Sequence, residues 1–221
     1  MRTNILVAAF VVVFVSPVIN GQAQKKTSYD LSKLATTGGL KAFNREPVAF
    51  SEQGKKGIRV AENENDGLAW INGLTFGNGT IEVDLKGRNV PQKSFIGIAF
   101  HGADESTMDI IYFRPFNFKS TDSVRKIHAV QYVSEPDYGW KRLRDEQNGK
   151  FEKGIVPPPD GDGWFHAKIV VHGPQVSVFV NGNAKPSLTV EKLNPRHEGK
   201  LGLWVGPQST GEFANLVVEK E

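Results

Sequence analysis

Short runs of apolar residues recur from residue 57 to residue 218, most of them alternating with polar positions, and most are the length of one β-strand. They lie at 57–61, 68–70, 80–85, 95–100, 109–113, 127–133, 165–171, 176–181, 201–205 and 213–218. Helical spacing is almost absent, apart from a hint of one turn at 31–35. Gly and Pro punctuate the runs, and Asn78-Gly79 and Asn181-Gly182 have the chemistry of hairpin turns. His172-Gly173-Pro174 joins two runs closely enough for a hairpin. About ten strands with no repeat and no βαβ rhythm predict an all-β fold, a two-sheet antiparallel jelly-roll sandwich. The longest stretch without alternation is 142–163, which holds three consecutive prolines and Asp160-Gly161-Asp162-Gly163. It reads as one long irregular loop, of the kind that is functional or mobile.

The central stretch 95–132 assigns faces. Side chains two apart on a strand share a side. Ile96, Ile98 and Phe100 therefore point one way, and Phe95, Gly97, Ala99 and His101 the other. Ile111 and Phe113 oppose Tyr112 and Arg114, while Ala129 and Gln131 share a side. One face is apolar throughout. Together with Val178 and Leu203, its residues are expected between the sheets. The other face mixes small residues with polar and aromatic ones. It suits a sugar-binding surface, and equally a solvated outer sheet face.

The first residues read differently. Arg2 precedes an apolar run at 5–15, and Gly21-Gln22-Ala23 offers a small-x-small cleavage site, the pattern of a secretory signal peptide. The run is short for a membrane span. The expected organisation is a leader over 1–23, a lead-in with the first edge segments over 24–56, and one globular sandwich over 57–221. The expected location is secreted or periplasmic, with no membrane association after cleavage. There is no cysteine, hence no disulfide framework, and stability must come from the core. Lys and Arg number 27 against 24 Asp and Glu, and the bases fall in small groups beside acids. With no basic stripe and no nucleic-acid motif, nucleic acid is not an expected partner.

Several residues could carry chemistry. Glu82 and Asp84 share the polar side of the strand at 80–85, roughly 6–7 Å apart by the strand rise. Paired carboxylates equip glycoside hydrolases, and also decorate ordinary solvent-facing strands. His101, Tyr112, Arg114, Asn117 and Gln131 are the polar members of the central strands and their ends. Arg114, just before Pro115, could grip a carboxylate or vicinal hydroxyls, or pair with a nearby acid. Trp204 lies between Leu203 and Val205 and is flanked by Gly202 and Gly206, so its ring should leave the core as a stacking platform. Trp140 falls in a loop, either exposed for a ligand or covered. Trp164 suits burial, and Trp70 the core. The five His residues show no ligand spacing, so no metal site and no cofactor are expected. The oxygen-rich runs at 160–163 and 63–67 leave room for a structural calcium, although neither completes a calcium-loop signature. Nucleophile, P-loop and dinucleotide motifs are absent.

The pieces FGNGTIEVDL, FIGIAF, IYFRPFNF, HAVQYV, the GWFHAKIVV–VSVFVNG hairpin, GKLGLWVG and GEFANLVVE follow one another in a familiar order. That order resembles the concanavalin A-like lectin/glucanase superfamily, and within it the secreted 3-keto-disaccharide hydrolase-like domains of bacteria, over most of 57–218. The resemblance implies a concave sheet that holds carbohydrate. Such hydrolases carry an Asn-Ser-Gly turn before a strand ending in Arg, and later a Glu-x-Gln pair. Here that turn is missing, the Arg is Arg114 on the following run, Gln131 matches the Gln, and Ala129 stands where the Glu would be. The acid cluster of the glucanase branch is not matched either. The expected function is therefore a secreted carbohydrate-binding, lectin-like domain using His101, Tyr112, Arg114, Asn117, Gln131, Trp140 and Trp204. The alternatives are a glycoside hydrolase with Glu82 and Asp84 as its carboxylates, and a structural or adhesion domain without a small ligand.

Overall fold

The computed structural model describes residues 25–221, residue 53 excepted, so the leader expected over 1–23 lies outside the described residues. Strands β1 (Lys26–Tyr29), β2 (Leu40–Phe43), β3 (Pro47–Glu52) and β4 (Lys55–Val60) come first, with helix α1 (Leu31–Thr36) after β1. The body follows as β5 (Gly67–Phe76), β6 (Gly79–Lys86), β7 (Ile96–Gly102), β8 (Met108–Phe113) and β9 (Val130–Glu135), with α2 (Ser123–Lys126) before β9. After α3 (Trp140–Gln147) come β10 (Glu152–Lys153), β11 (Phe165–His172), β12 (Gln175–Val180), β13 (Leu188–Glu191), β14 (Gly199–Val205) and β15 (Gly211–Lys220).

These strands form two antiparallel sheets. One runs β13-β12-β11-β6-β15-β4-β3, with β1 also paired to β15. The other has seven strands in the order β10-β9-β8-β7-β14-β5-β2. The fold is an all-β antiparallel sandwich. Its core is what the alternation predicts: Ile96, Ile98, Phe100, Ile111, Phe113, Val178 and Leu203 are all buried, in one cluster with Ile81, Val83, Leu85 and Ile169. Phe113 of one sheet meets Phe165 of the other edge-on, 5.0 Å between ring centres.

Three local expectations need correction. The stretch 142–163 is not one irregular loop. α3 runs into it from Gly139 at the N-cap, and β10 pairs Glu152 with Gln131 and Lys153 with Val130, adding an edge strand to the seven-stranded sheet. The run at 127–133 starts late as a strand. Asp122 caps α2 by accepting from the Val124 and Arg125 amides, and the chain reaches extended geometry only at Val130. His101 does not join Gly97 and Ala99 on the outward face. β7 pairs Ala99 with Gly202 but Gly102 with Lys200, so it carries one residue more than β14 at this point. That bulge, with His101 at φ +49°, turns the imidazole inward. The ring lies 4.8 Å from Phe100 and 6.2 Å from Phe76, with Nδ1 3.3 Å from Asp109 Oδ2.

Candidate functional site

The outward face of the seven-stranded sheet is a groove of about 1010 Å³. One cross-strand row organises it. Following the registers, Glu152 stands beside Gln131, Gln131 beside Tyr112, Tyr112 beside Gly97, Gly97 beside Trp204, Trp204 beside Leu68, and Leu68 beside Phe43. Gly97 is required there. A Cβ would stand 2.1 Å from the Ile111 carbonyl oxygen and 2.7 Å from the Tyr112 Cβ. The missing side chain lets the Tyr112 and Trp204 rings meet across the strand between them, 5.3 Å apart and tilted by 55°.

Arg114 leaves the end of β8 and folds over Tyr112, its guanidinium 4.8 Å from the ring centre. Its Nη2 donates to Gln131 Oε1 at 2.5 Å and to Tyr112 Oη at 2.6 Å, and the Tyr112 hydroxyl donates to the same Gln131 oxygen at 2.7 Å. These two donors fix the amide orientation and leave Gln131 Nε2 buried with no hydrogen-bond partner. Asn117, in the turn after Pro115, donates from Nδ2 to the His128 carbonyl at 3.0 Å, and its Oδ1 is likewise unpaired. Burial pushes the Tyr112 phenol up to about 12, so it is a neutral donor throughout the physiological range.

The acid that the resemblance would place at position 129, just before β9, is absent, but a carboxylate reaches this corner from β10. Glu152 is only 2% exposed. It accepts from Arg144 Nη2 at 2.9 Å and Nε at 3.2 Å, and from Arg114 Nη1 at 3.4 Å. His128 Nδ1 stands 2.7 Å from it. Burial opposes its charge, yet Arg144, Arg114 and His128 hold the carboxyl below the usual carboxylate range. Burial lowers His128 in turn, against the pull of Glu152. Glu152 therefore acts from behind the groove, fixing the two guanidiniums that face it.

Asp66 and Glu135 line the same groove. Burial pushes both carboxyls up; the Trp204 indole partly offsets this at Asp66, and the Asp66 charge adds to it at Glu135. Trp140 is half exposed at the rim, with the Arg144 guanidinium 5.3 Å from its ring centre. Trp164 stacks on Phe50 beside the other sheet at 6.0 Å. Trp70 is buried on the groove side of its sheet, packed on Gly202 and Gly102.

The structure thus brings Tyr112, Arg114, Asn117, Trp140 and Trp204 to one groove, with Gln131 fully buried beside Tyr112 and Arg114, and leaves three expected residues elsewhere. His101 is inside the sandwich. Glu82 and Asp84 do share a face, but on β6, in the sheet that does not form the groove. There Asp84 takes His166 Nδ1 at 2.8 Å, Asn215 Nδ2 at 2.7 Å and the Lys55 ammonium. Glu82 takes Lys26 Nζ at 3.0 Å and His166 Nε2 at 3.2 Å. Burial opposes ionisation of Asp84, but these partners pull it far below the usual range. Among the described residues, no group of three or more His, Cys, Asp or Glu side chains is placed to hold a metal ion. The oxygen-rich run at 160–163 is engaged within the chain: Asp160 accepts from the Asp162 amide, and Asp162 from the Asn89 amide in the connection between β6 and β7.

No family model matches the chain, and no curated protein matches it in sequence. Solved structures do match in three dimensions. The carbohydrate-binding module CBM66 from Bacillus subtilis aligns at a TM-score of 0.59 and 15% identity, over 80% of this chain and 93% of that one. A protein of unknown function with a galectin-like fold, also from Bacillus subtilis, aligns at 0.59 and 13%, over 90% and 98%. A putative glycosyl hydrolase from Parabacteroides distasonis aligns at 0.58 and 15%, over 89% and 100%. At these identities the likeness is one of fold, and the fold is the concanavalin A-like sandwich.

Proposed function

We propose that this chain binds carbohydrate in the groove of the seven-stranded sheet. The observation that carries the reading is the corner made by Arg114, Tyr112, Gln131 and Asn117, where a buried amide N–H and a buried carbonyl oxygen have no partner in the protein. Sugar hydroxyls both donate and accept, so one polyhydroxy ligand can satisfy both atoms. The Trp204 and Tyr112 rings stand beside that corner as a platform for the C–H face of a sugar ring. Charge supports a neutral ligand: Arg114, Arg125 and Arg144 line the groove against Asp66, Glu105 and Glu135, so neither sign is in excess. The solved carbohydrate-binding module and putative glycosyl hydrolase of the same fold add to this reading. The apolar run and cleavage motif before residue 24 support a secreted or periplasmic protein. N-terminal sequencing of exported material should then begin near Gln24.

The test is a glycan array followed by calorimetric titration of wild type and Asn117→Ala with the strongest hit. The variant should bind about tenfold more weakly, the worth of one buried hydrogen bond. Equal affinity would remove this corner from the site, and an array without a hit would sink the carbohydrate reading. A hydrolase reading keeps one observation, the placement of Asp66 and Glu135 in the same groove. Turnover of the array hit, abolished by Glu135→Gln, would favour it.

A further inference from the structure

The groove has a second row, and its chemistry differs from the first. Two residues further along each strand, Val133 stands beside Ile110, Ile110 beside Ala99, Ala99 beside Gly202, and Gly202 beside Trp70. Alternation puts this row on the groove side with Tyr112 and Trp204, and Ile110 and Val133 both line the groove. It holds no carboxylate, amide, hydroxyl or cationic side chain; its one polar side-chain atom is the Trp70 indole Nε1, buried without a partner at the far end of the row. One row further on β8, Met108 also lines the groove, beside Glu135 on β9. A sugar ring laid over Ile110 and Val133 would lose water from its hydroxyls and find no partner for them in those side chains, which is unfavourable. An aromatic or aliphatic group laid here would gain from leaving water.

The two rows are roughly 6–7 Å apart along the strands, about the offset between a sugar ring and the group attached to it. The volume of about 1010 Å³ stands at the upper end of small-molecule sites, roughly 300–1,000 Å³. We propose that the ligand is a glycoside with an apolar aglycone, aryl or alkyl: the sugar sits over Tyr112, Gln131 and Arg114, and the aglycone lies along Ile110 and Val133. This rests on the carbohydrate reading and adds what is attached to the sugar.

The experiment is calorimetric titration with the methyl, phenyl and octyl β-glycosides of glucose, galactose, mannose and xylose, with octyl compounds kept below their micellar concentration. Phenol and octanol serve as sugar-free controls. A phenyl ring removes on the order of 100 Å² of apolar surface from water, so one to two decades in affinity separate it from methyl. Phenyl or octyl glycosides should therefore bind at least tenfold more tightly than the methyl glycoside of the same sugar, and the larger gain identifies the aglycone class. Val133→Thr, nearly the same shape with one hydroxyl, should narrow that ratio. Equal affinity for the three glycosides overturns the aglycone proposal and leaves the carbohydrate reading standing. Binding of phenol or octanol with no gain from a sugar overturns the carbohydrate reading, and the proposal with it. No binding by any glycoside overturns both.

Discussion

Replacing Glu152 with Gln changes charge at nearly constant shape, and the cost follows from what surrounds it. The carboxylate is 2% exposed and faces Arg114, Arg144 and His128 at once. A Gln offers one neutral acceptor and turns an NH₂ group toward a guanidinium. The Arg144 side chain is 30% exposed and can recover water, whereas that of Arg114, at 6%, cannot. Breaking a buried pair by removing one partner costs about 3–5 kcal/mol. With one of the two arginines able to rehydrate, about 3 kcal/mol is the expected loss. The sign with pH follows from linkage. Folding lowers the Glu152 pKa, so its contribution is complete above the unfolded carboxylate value, about 4.3, and is lost as the pH falls through the lower folded value. Urea unfolding of wild type and Glu152→Gln should therefore show a wide gap near neutral pH that narrows in acid. A gap under about 1 kcal/mol, or one that is no smaller at about pH 3 than at about pH 7, would refute the reasoning. Glycan affinity should fall with it, because Arg114 loses the anchor that aims it at Tyr112 and Gln131.

Trp204→Ala should weaken binding of the array hit several-fold through lost stacking, about 1 kcal/mol; unchanged calorimetric affinity would remove the ring from the site. Glu82→Gln should bind that glycan like wild type, since Glu82 lies in the other sheet, and a variant that loses binding would contradict the placement of the groove. Phe100→Ala, at a fully buried position, should cost about 3–5 kcal/mol in denaturant unfolding, and a loss under about 1 would mean the alternation has the wrong phase. His166 gains the Asp84 hydrogen bond on folding, which, against burial, raises its pKa. Its stabilisation is complete below the unfolded value and is lost as the pH rises through the folded one. Wild-type stability should thus decline from mildly acidic toward alkaline pH more than that of His166→Gln; parallel curves would count against the bridge.

What the sequence reveals depends on how local the signal is. β7, β8 and β14 each turn one face to the core between the sheets, so period-two alternation is enough to put Ile111 on that face and Tyr112 on the opposite one, although both residues are buried. Glu82 and Asp84 mark the limit of that method. Their shared side follows from spacing, but the sheet to which β6 belongs is set by pairing with β11 and β15, which no local pattern carries. His101 escapes because a bulge adds one residue and reverses the side of everything it displaces. Glu152 and Arg144 escape for a different reason. β10 is two residues long, too short to express a period, and it follows a helix with one buried residue, Leu143. The available hint was apolar: Phe151 and Ile155, both buried, flank Glu152 in a stretch otherwise rich in charge and proline.

The two outward faces of the sandwich account for their polar groups differently, and that difference is the strongest argument for where a ligand goes. On the eight-stranded sheet, Glu82, Asp84 and Glu212 each have cationic partners within the chain. Among the described residues, none of these three carboxylates is left for a ligand to satisfy. At the groove, Asn117 Oδ1 and, beside Tyr112 and Arg114, Gln131 Nε2 are buried and unpaired, and burial raises the Asp66 and Glu135 carboxyls. A buried polar atom without a partner costs about 1–3 kcal/mol. A ligand that pairs either atom gains that contribution as affinity. A molecule that only filled the apolar row would gain none of it, and one that only offered hydroxyls would set them against Ile110 and Val133. The occupant that answers both rows is a sugar with an apolar group attached.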